Sequence, residues 1–109
     1  MEAPFTAFDF PVADLAARKG TSLIFKYSPK CALSKIVKLR LSGASWDVPI
    51  YFIDVITDKA KSLEIADAFD VFHASPQLLL IHDGECEVEW EQNEIHRFIS
   101  WFAHCHGES

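Results

Sequence analysis

The sequence predicts an α/β domain: a central four-stranded mixed sheet flanked by helices on both faces. Three observations carry this expectation. The runs Leu23-Ile24-Phe25 and Ile50-Tyr51-Phe52-Ile53-Asp54-Val55 are continuously apolar and β-favouring rather than alternating, as strands covered on both faces are. Apolar residues at helical spacing follow each run. Asp83-Gly84, a strong hairpin signal, separates two further strand-like segments. The elements read in the order α-β-α-β-α-β-β-α.

Pro11 to Lys19 should form the first helix, with proline in its first turn and Gly20 as its stop. Ser22 to Tyr27 is the first strand. From Cys31 to about Leu41, Leu33, Ile36, Val37 and Leu41 recur at helical spacing, while Lys35, Lys38 and Arg40 take the other face. Ser42-Gly43-Ala44-Ser45 ends that helix, and Pro49 to Val55 is the second strand. Asp58 is placed to cap a helix from Lys59 to Phe69, with Leu63, Ala66 and either Phe69 or Ile65 inward. His73-Ala74-Ser75-Pro76 is a loop leading into the strand Gln77 to His82. Glu85 to Trp90 returns, its alternation placing Cys86, Val88 and Trp90 inward and the glutamates outward. Asn93 opens a last helix carrying Ile95, Phe98, Ile99 and Phe102 at core spacing.

At 109 residues the chain is one domain, spanning 1–109. Half its residues are hydrophobic, and with four glycines and five prolines it is globular rather than disordered. The start, Met1-Glu2-Ala3-Pro4, has neither the basic nor the apolar region of a secretory signal. No run approaches the roughly 18 apolar residues of a membrane span, so no membrane partner is expected. Three cysteines, without a tight pairing pattern, argue against a stapled extracellular scaffold and for a cytoplasmic protein with reduced thiols. His104-Cys105-His106 superficially suggests soft-metal ligands. Adjacent side chains diverge on a helix and no second cluster accompanies them, so no metal is expected.

A net charge of −6 argues against a nucleic-acid partner. Its distribution is uneven. Between Leu15 and Trp46 there is no Asp or Glu, yet Arg18, Lys19, Lys26, Lys30, Lys35, Lys38 and Arg40 all fall there. Two readings stand together: a solvated helix face, or cations that surround Cys31, lower its pKa and attract an anionic partner.

Cys31 is the most informative residue. It follows a strand and a Ser28-Pro29 turn and stands where a helical pattern begins. There a thiolate faces unpaired backbone N–H groups and the positive end of the macrodipole. Cys31-Ala32-Leu33-Ser34 is the one-cysteine version of the Cys-x-x-Cys redox motif, with Ser34 at the resolving position. Ser34, one helical turn on, is placed to donate a hydrogen bond to the thiolate. Cys86 reads as core.

The element order, a cysteine opening the second helix and an X-Pro bond opening the third strand are similar to the thioredoxin fold. More narrowly, the chain resembles the YtxJ-type monothiol bacilliredoxins of the bacillithiol system, from about Ser22 to Phe102. Three places carry the resemblance: Ile24-Phe25-Lys26-Tyr27-Ser28 into Cys31-Ala32-Leu33-Ser34, then Tyr51-Phe52-Ile53-Asp54-Val55, then His73-Ala74-Ser75-Pro76-Gln77. It implies that Cys31 is the reactive thiol and that Pro76 is a cis-proline facing it, with Ser75 offering main-chain contacts to an extended substrate. It also gives His73 a place in the site, orienting a substrate carboxylate or assisting proton transfer. The chain departs from the family in Ala32, where a proline is usual, and in the acidic Glu91-Gln92-Asn93-Glu94.

The function so implied is monothiol exchange that removes a small thiol, bacillithiol as co-substrate, from S-thiolated proteins. Lys30 and Lys35 would attract the carboxylates of that small anionic thiol. The rival is a non-catalytic thioredoxin-fold protein-interaction module, for which Ala32 and the acidic strand speak. A thiol peroxidase is disfavoured, since Tyr27 stands where a Thr-x-x-x-Cys arrangement needs threonine.

Overall fold

The structure, a computed structural model, describes residues 4–91 and 93–105, with side chains placed at 4–91 and 94–101. Its elements are β1 (Phe5–Ala7), α1 (Val12–Ala17), β2 (Thr21–Tyr27), α2 (Ala32–Ser42), β3 (Ile50–Asp54), α3 (Lys59–Phe69), β4 (Gln77–His82), β5 (Glu85–Glu91) and α4 (Asn93–Cys105). The strands form one mixed sheet in the order β1-β3-β2-β4-β5. β1 and β2 run parallel to β3, β4 runs antiparallel to β2, and β5 antiparallel to β4.

The α/β class and the helices on both faces are as the sequence predicts. The sheet has five strands rather than four. The additional strand, β1, is three residues long, too short to show a period, and is recruited by tertiary contacts. Phe5 pairs with Ile50, and its ring lies 5.9 Å from Phe25 and 5.5 Å from Phe52.

Alternation along the central strands divides the core in two. Ile24, Tyr51, Ile53, Leu79 and Ile81 pack with Val12 and Leu15 of α1 and Ile65 and Phe69 of α3. Leu23, Phe25, Ile50 and Leu78 pack with Val37 and Leu41 of α2 and Ile95 and Ile99 of α4. The helices differ from expectation in which stripe they bury. In α3 the inward residues are Ser62, Ile65 and Phe69, while Leu63 is 44% exposed. In α2 they are Ser34, Val37 and Leu41, while Ile36 is 51% exposed. In both helices a small serine occupies a buried position that apolar counting passes over. Phe102 lies outside the described side chains.

Asp58 stands at the N-cap of α3 but makes no side-chain capping bond. The carboxylate of Asp54 organises the turn instead, accepting from the N–H groups of Ile56 (2.8 Å) and Thr57 (3.1 Å).

β5 also departs from strict alternation. Val88 pairs with Leu80 and Cys86 with Ile81, leaving Glu87 as an inserted residue. One inserted residue reverses the facing of everything beyond it. Cys86 therefore packs on the α1/α3 side, whereas Trp90 packs on the α2/α4 side. The three residues expected on one face are split between two.

The β4–β5 turn has positive φ at both Asp83 (50°) and Gly84 (83°), the geometry of a type I′ hairpin. A Cβ on Gly84 would lie 2.0 Å from the Ala16 carbonyl oxygen of α1. Gly84→Ala is therefore expected to cost about 2–5 kcal/mol, the left-handed penalty added to overpacking. A urea titration checks it as a lowered midpoint at unchanged slope.

Candidate functional site

β2 delivers the chain to the site. Beyond Tyr27, Pro29 takes the second position of a tight turn, closed where the Cys31 N–H donates to the Ser28 carbonyl at 3.1 Å. The turn ends with Cys31 as N-cap of α2, in an extended conformation, its carbonyl accepting from the Lys35 N–H at 3.3 Å. Ala32 is the first helical residue, a position where proline and alanine both fit, so the departure from the family pattern leaves the helix start intact.

Cys31 is partly exposed and not in a disulfide. The backbone N–H of Ser34 is the largest influence holding its thiol below the ordinary value; burial opposes it, and the Ser34 hydroxyl and the Leu33 N–H add smaller lowering effects. The sulfur makes no capping hydrogen bond as placed. The same donors therefore act chiefly on the charged form, which is what a nucleophilic thiol needs. No lysine contributes to the lowering.

Ser34 is fully buried, and its Oγ accepts from the Ser28 N–H at 3.2 Å. With one lone pair so used, the hydroxyl proton is left for the Cys31 sulfur. Ser34→Ala would remove that donor and orphan a buried N–H, costing about 1–3 kcal/mol of stability. It is expected to raise the Cys31 pKa, seen as an alkylation rate profile displaced to higher pH.

Antiparallel pairing of β2 with β4 sets Lys26 opposite Gln77, so Pro76 lies beside the end of β2 that leads to Cys31. The Ser75–Pro76 peptide is cis. Preceding it, His73 is exposed at its rim, and its Nδ1 lies 3.2 Å from Ser62 Oγ and 3.4 Å from Lys26 Nζ. Burial, then the charges of Lys26 and Lys59, keep the imidazole below its ordinary pKa.

Lys30 and Lys35 are solvent-exposed on either side of Cys31 in sequence. The other cations do not surround it. Arg18 lies over the Phe10 ring and donates to Tyr51 Oη, and Arg40 donates to the His96 carbonyl and to Ser100 on α4. Lys38 sits 5.3 Å from the Tyr27 and Phe52 ring centroids. The expectation of a cation cluster lowering the thiol pKa is thus replaced by Ser34 and Leu33.

Sequence reasoning counted Lys26 only among the cations around Cys31 and gave Ser62 and Gln77 no role of their own. Lys26 is 0% exposed, donates to the Ser62 carbonyl at 3.0 Å, and burial lowers its pKa to about 8. Gln77 is buried beside it, donating to the Phe72 carbonyl (2.8 Å) and to Glu89 (3.0 Å), with Oε1 lacking a partner. The available signal was a lysine on a strand whose both faces are covered.

Cys86 is the opposite kind of thiol. It pairs with Ile81, which pairs with Ser22, at the far end of the sheet from Cys31. Burial and then Glu89 push its pKa up. Among the described residues no cluster of three metal-ligating side chains occurs, and the His104-Cys105-His106 side chains lie outside them.

The chain is similar to several solved structures. One, described as an oxidoreductase with a thioredoxin fold, is 19% identical with a TM-score of 0.77, covering 94% of this chain and 93% of that one. A thioredoxin variant from Halobacterium salinarum is 18% identical at TM-score 0.64, covering 92% and 87%. Thioredoxin O2 from Arabidopsis thaliana, in its oxidised state, is 18% identical at TM-score 0.64, covering 95% and 96%. These likenesses establish a thioredoxin fold. Residues 11–98, and with them the Cys31 turn, the cis-proline loop and every strand but β1, match the sequence model of the family described as monothiol bacilliredoxin BrxC. The chain belongs to the monothiol bacilliredoxin BrxC family, a thioredoxin-fold protein of thiol–disulfide redox chemistry.

Proposed function

We propose that this protein strips bacillithiol from mixed disulfides on proteins, using Cys31 as its only redox sulfur. The Cys31 thiolate attacks the sulfur of the small thiol. A new disulfide forms between Cys31 and the small thiol, the old one breaks, and the protein sulfur leaves as a thiolate that takes up a proton. A second small thiol then attacks the adduct, releasing the Cys31 thiolate and a small-thiol disulfide. The observation that carries this reading is Cys31 at the start of α2 with Ser34, not a second cysteine, one turn away. Ser34 would stabilise the thiolate, and the backbone at Ser75 and Pro76 would pair with the substrate. His73 would contact the small thiol, and Lys30 and Lys35 would draw in its carboxylates.

Protein mixed disulfides are the proposed partners and bacillithiol the co-substrate, in a reducing cytoplasm. No helix of the described residues is long and apolar enough to cross a membrane. The lowered Cys31 pKa favours this exchanger over a binding module without redox chemistry.

The test compares turnover of one model protein carrying either a bacillithiol or a glutathione mixed disulfide. Faster release from the bacillithiol form is expected. Equal rates would remove bacillithiol from the account, and no release from either would leave the binding module. Replacing Lys30 and Lys35 by Gln together should raise KM roughly three- to tenfold, an effect that fades with added salt.

A further inference from the structure

Lys26 is a buried cation with no carboxylate in ion-pair contact among the described residues. Its ammonium can only donate hydrogen bonds. It spends one on the Ser62 carbonyl at 3.0 Å and directs another at His73 Nδ1, 3.4 Å away. An atom that receives a hydrogen bond from an ammonium cannot itself carry the proton. Where Nδ1 accepts from Lys26 Nζ, the neutral ring carries its proton on Nε2. That atom is on the far edge of the ring from Lys26 and Ser62, on an exposed residue, and has no hydrogen-bond partner among the described residues.

We infer that Lys26 is a positioning residue that locks His73 as the Nε2–H tautomer, and that this N–H receives a carboxylate oxygen of the small thiol beside Pro76. The inference rests on the small-thiol exchange proposed above and names what that thiol must carry. Charge supports the choice of an anion. The electrostatic influences on His73 come from Lys26 on β2 and Lys59 on α3, both positive, and Ser62 on α3 is neutral. Across Lys26 on β4 stands neutral Gln77, whose amide donates to Glu89. Because the ring is kept neutral near pH 7, its role is a directed hydrogen bond in a positive field rather than a titrating base.

The first arm is nitrogen NMR of the reduced wild-type protein, which needs no substrate and no turnover. His73 should show an unprotonated Nδ1 and a protonated Nε2 at pH 7, and addition of a simple carboxylate such as acetate should move the Nε2 signal. A proton on Nδ1, or a charged ring at pH 7, would overturn the lock. In Lys26→Met the two tautomers should become mixed.

The second arm is kinetic, with a carboxylate-bearing thiol and carboxylate-free cysteamine as alternative mixed disulfides. His73→Leu should raise KM for the carboxylate-bearing substrate roughly tenfold, the loss of one hydrogen bond to a charged group, with kcat little changed. The cysteamine substrate, which offers no carboxylate, should lose far less. His73→Gln, whose amide can place an N–H where Nε2 stood, should recover most of the loss. Equal losses on both substrates would make His73 merely structural. Failure of any exchange through Cys31 would sink the parent reading while leaving the tautomer result intact.

Discussion

Cys31→Ser should reduce thiol transfer to background, while Cys86→Ser and Cys105→Ser leave it near normal. For Cys31 and Cys86 the asymmetry follows from where the sulfurs sit. Cys31 stands at a helix N-terminus with the Ser34 and Leu33 N–H groups and the Ser34 hydroxyl stabilising its charge. A serine hydroxyl there stays protonated at neutral pH and is a poor nucleophile, so the first step has no attacking group. Cys86 has neither property: its pKa is raised by burial and by Glu89, and it lies at the other end of the sheet. With serine rather than cysteine at position 34, no Cys-x-x-Cys disulfide can take over from a blocked Cys31. Turnover of a radiolabelled or mass-tagged mixed disulfide by the three variants checks this. Activity surviving in Cys31→Ser would reassign the nucleophile.

The second large effect concerns stability against pH and comes from Lys26. In the unfolded chain its ordinary pKa is near 10.5, and in the folded protein burial lowers it to about 8. Below pH 8 both states carry the proton, and folding bears the full cost of an ammonium in the core. Between 8 and 10.5 only the unfolded chain binds the proton, so stability rises with pH across that window. The displacement corresponds to about 3 kcal/mol in total. Lys26→Met lacks this term. The wild type should therefore gain on the variant by roughly 2–3 kcal/mol between pH 7 and pH 10.5, measured by urea unfolding at each pH. Parallel curves would mean that Lys26 is hydrated and ordinary. A buried charge that weakens the fold at neutral pH would be retained, on the inference above, for its effect on His73.

Much of this was legible in the chain because local chemistry and tertiary structure agree. The Asp83-Gly84 turn, the covered strands and the start of α2 at Cys31 are each fixed by a few adjacent residues. What escaped was set by contacts between segments distant in sequence. β1 is held by pairing with β3, and three residues carry no period. The bulge at Glu87 needs the partner strand to be seen at all. Ser62 is buried where Lys26, thirty-six positions earlier, reaches its carbonyl. The candidate nucleophile was readable from its position alone. Its electrostatic environment was not, since Lys26, Arg18 and Arg40 look alike in sequence and are spent on different tasks.

The central claim is that one sulfur carries the exchange. Its most direct test mixes reduced protein with a bacillithiol-labelled model protein, quenches with acid, and reads intact mass and peptide maps. The account predicts one bacillithiol per chain, located on Cys31, with an equal amount of freed thiol on the model protein. An unmodified Cys31 beside an intact model disulfide, or an adduct on Cys86 instead, would contradict it.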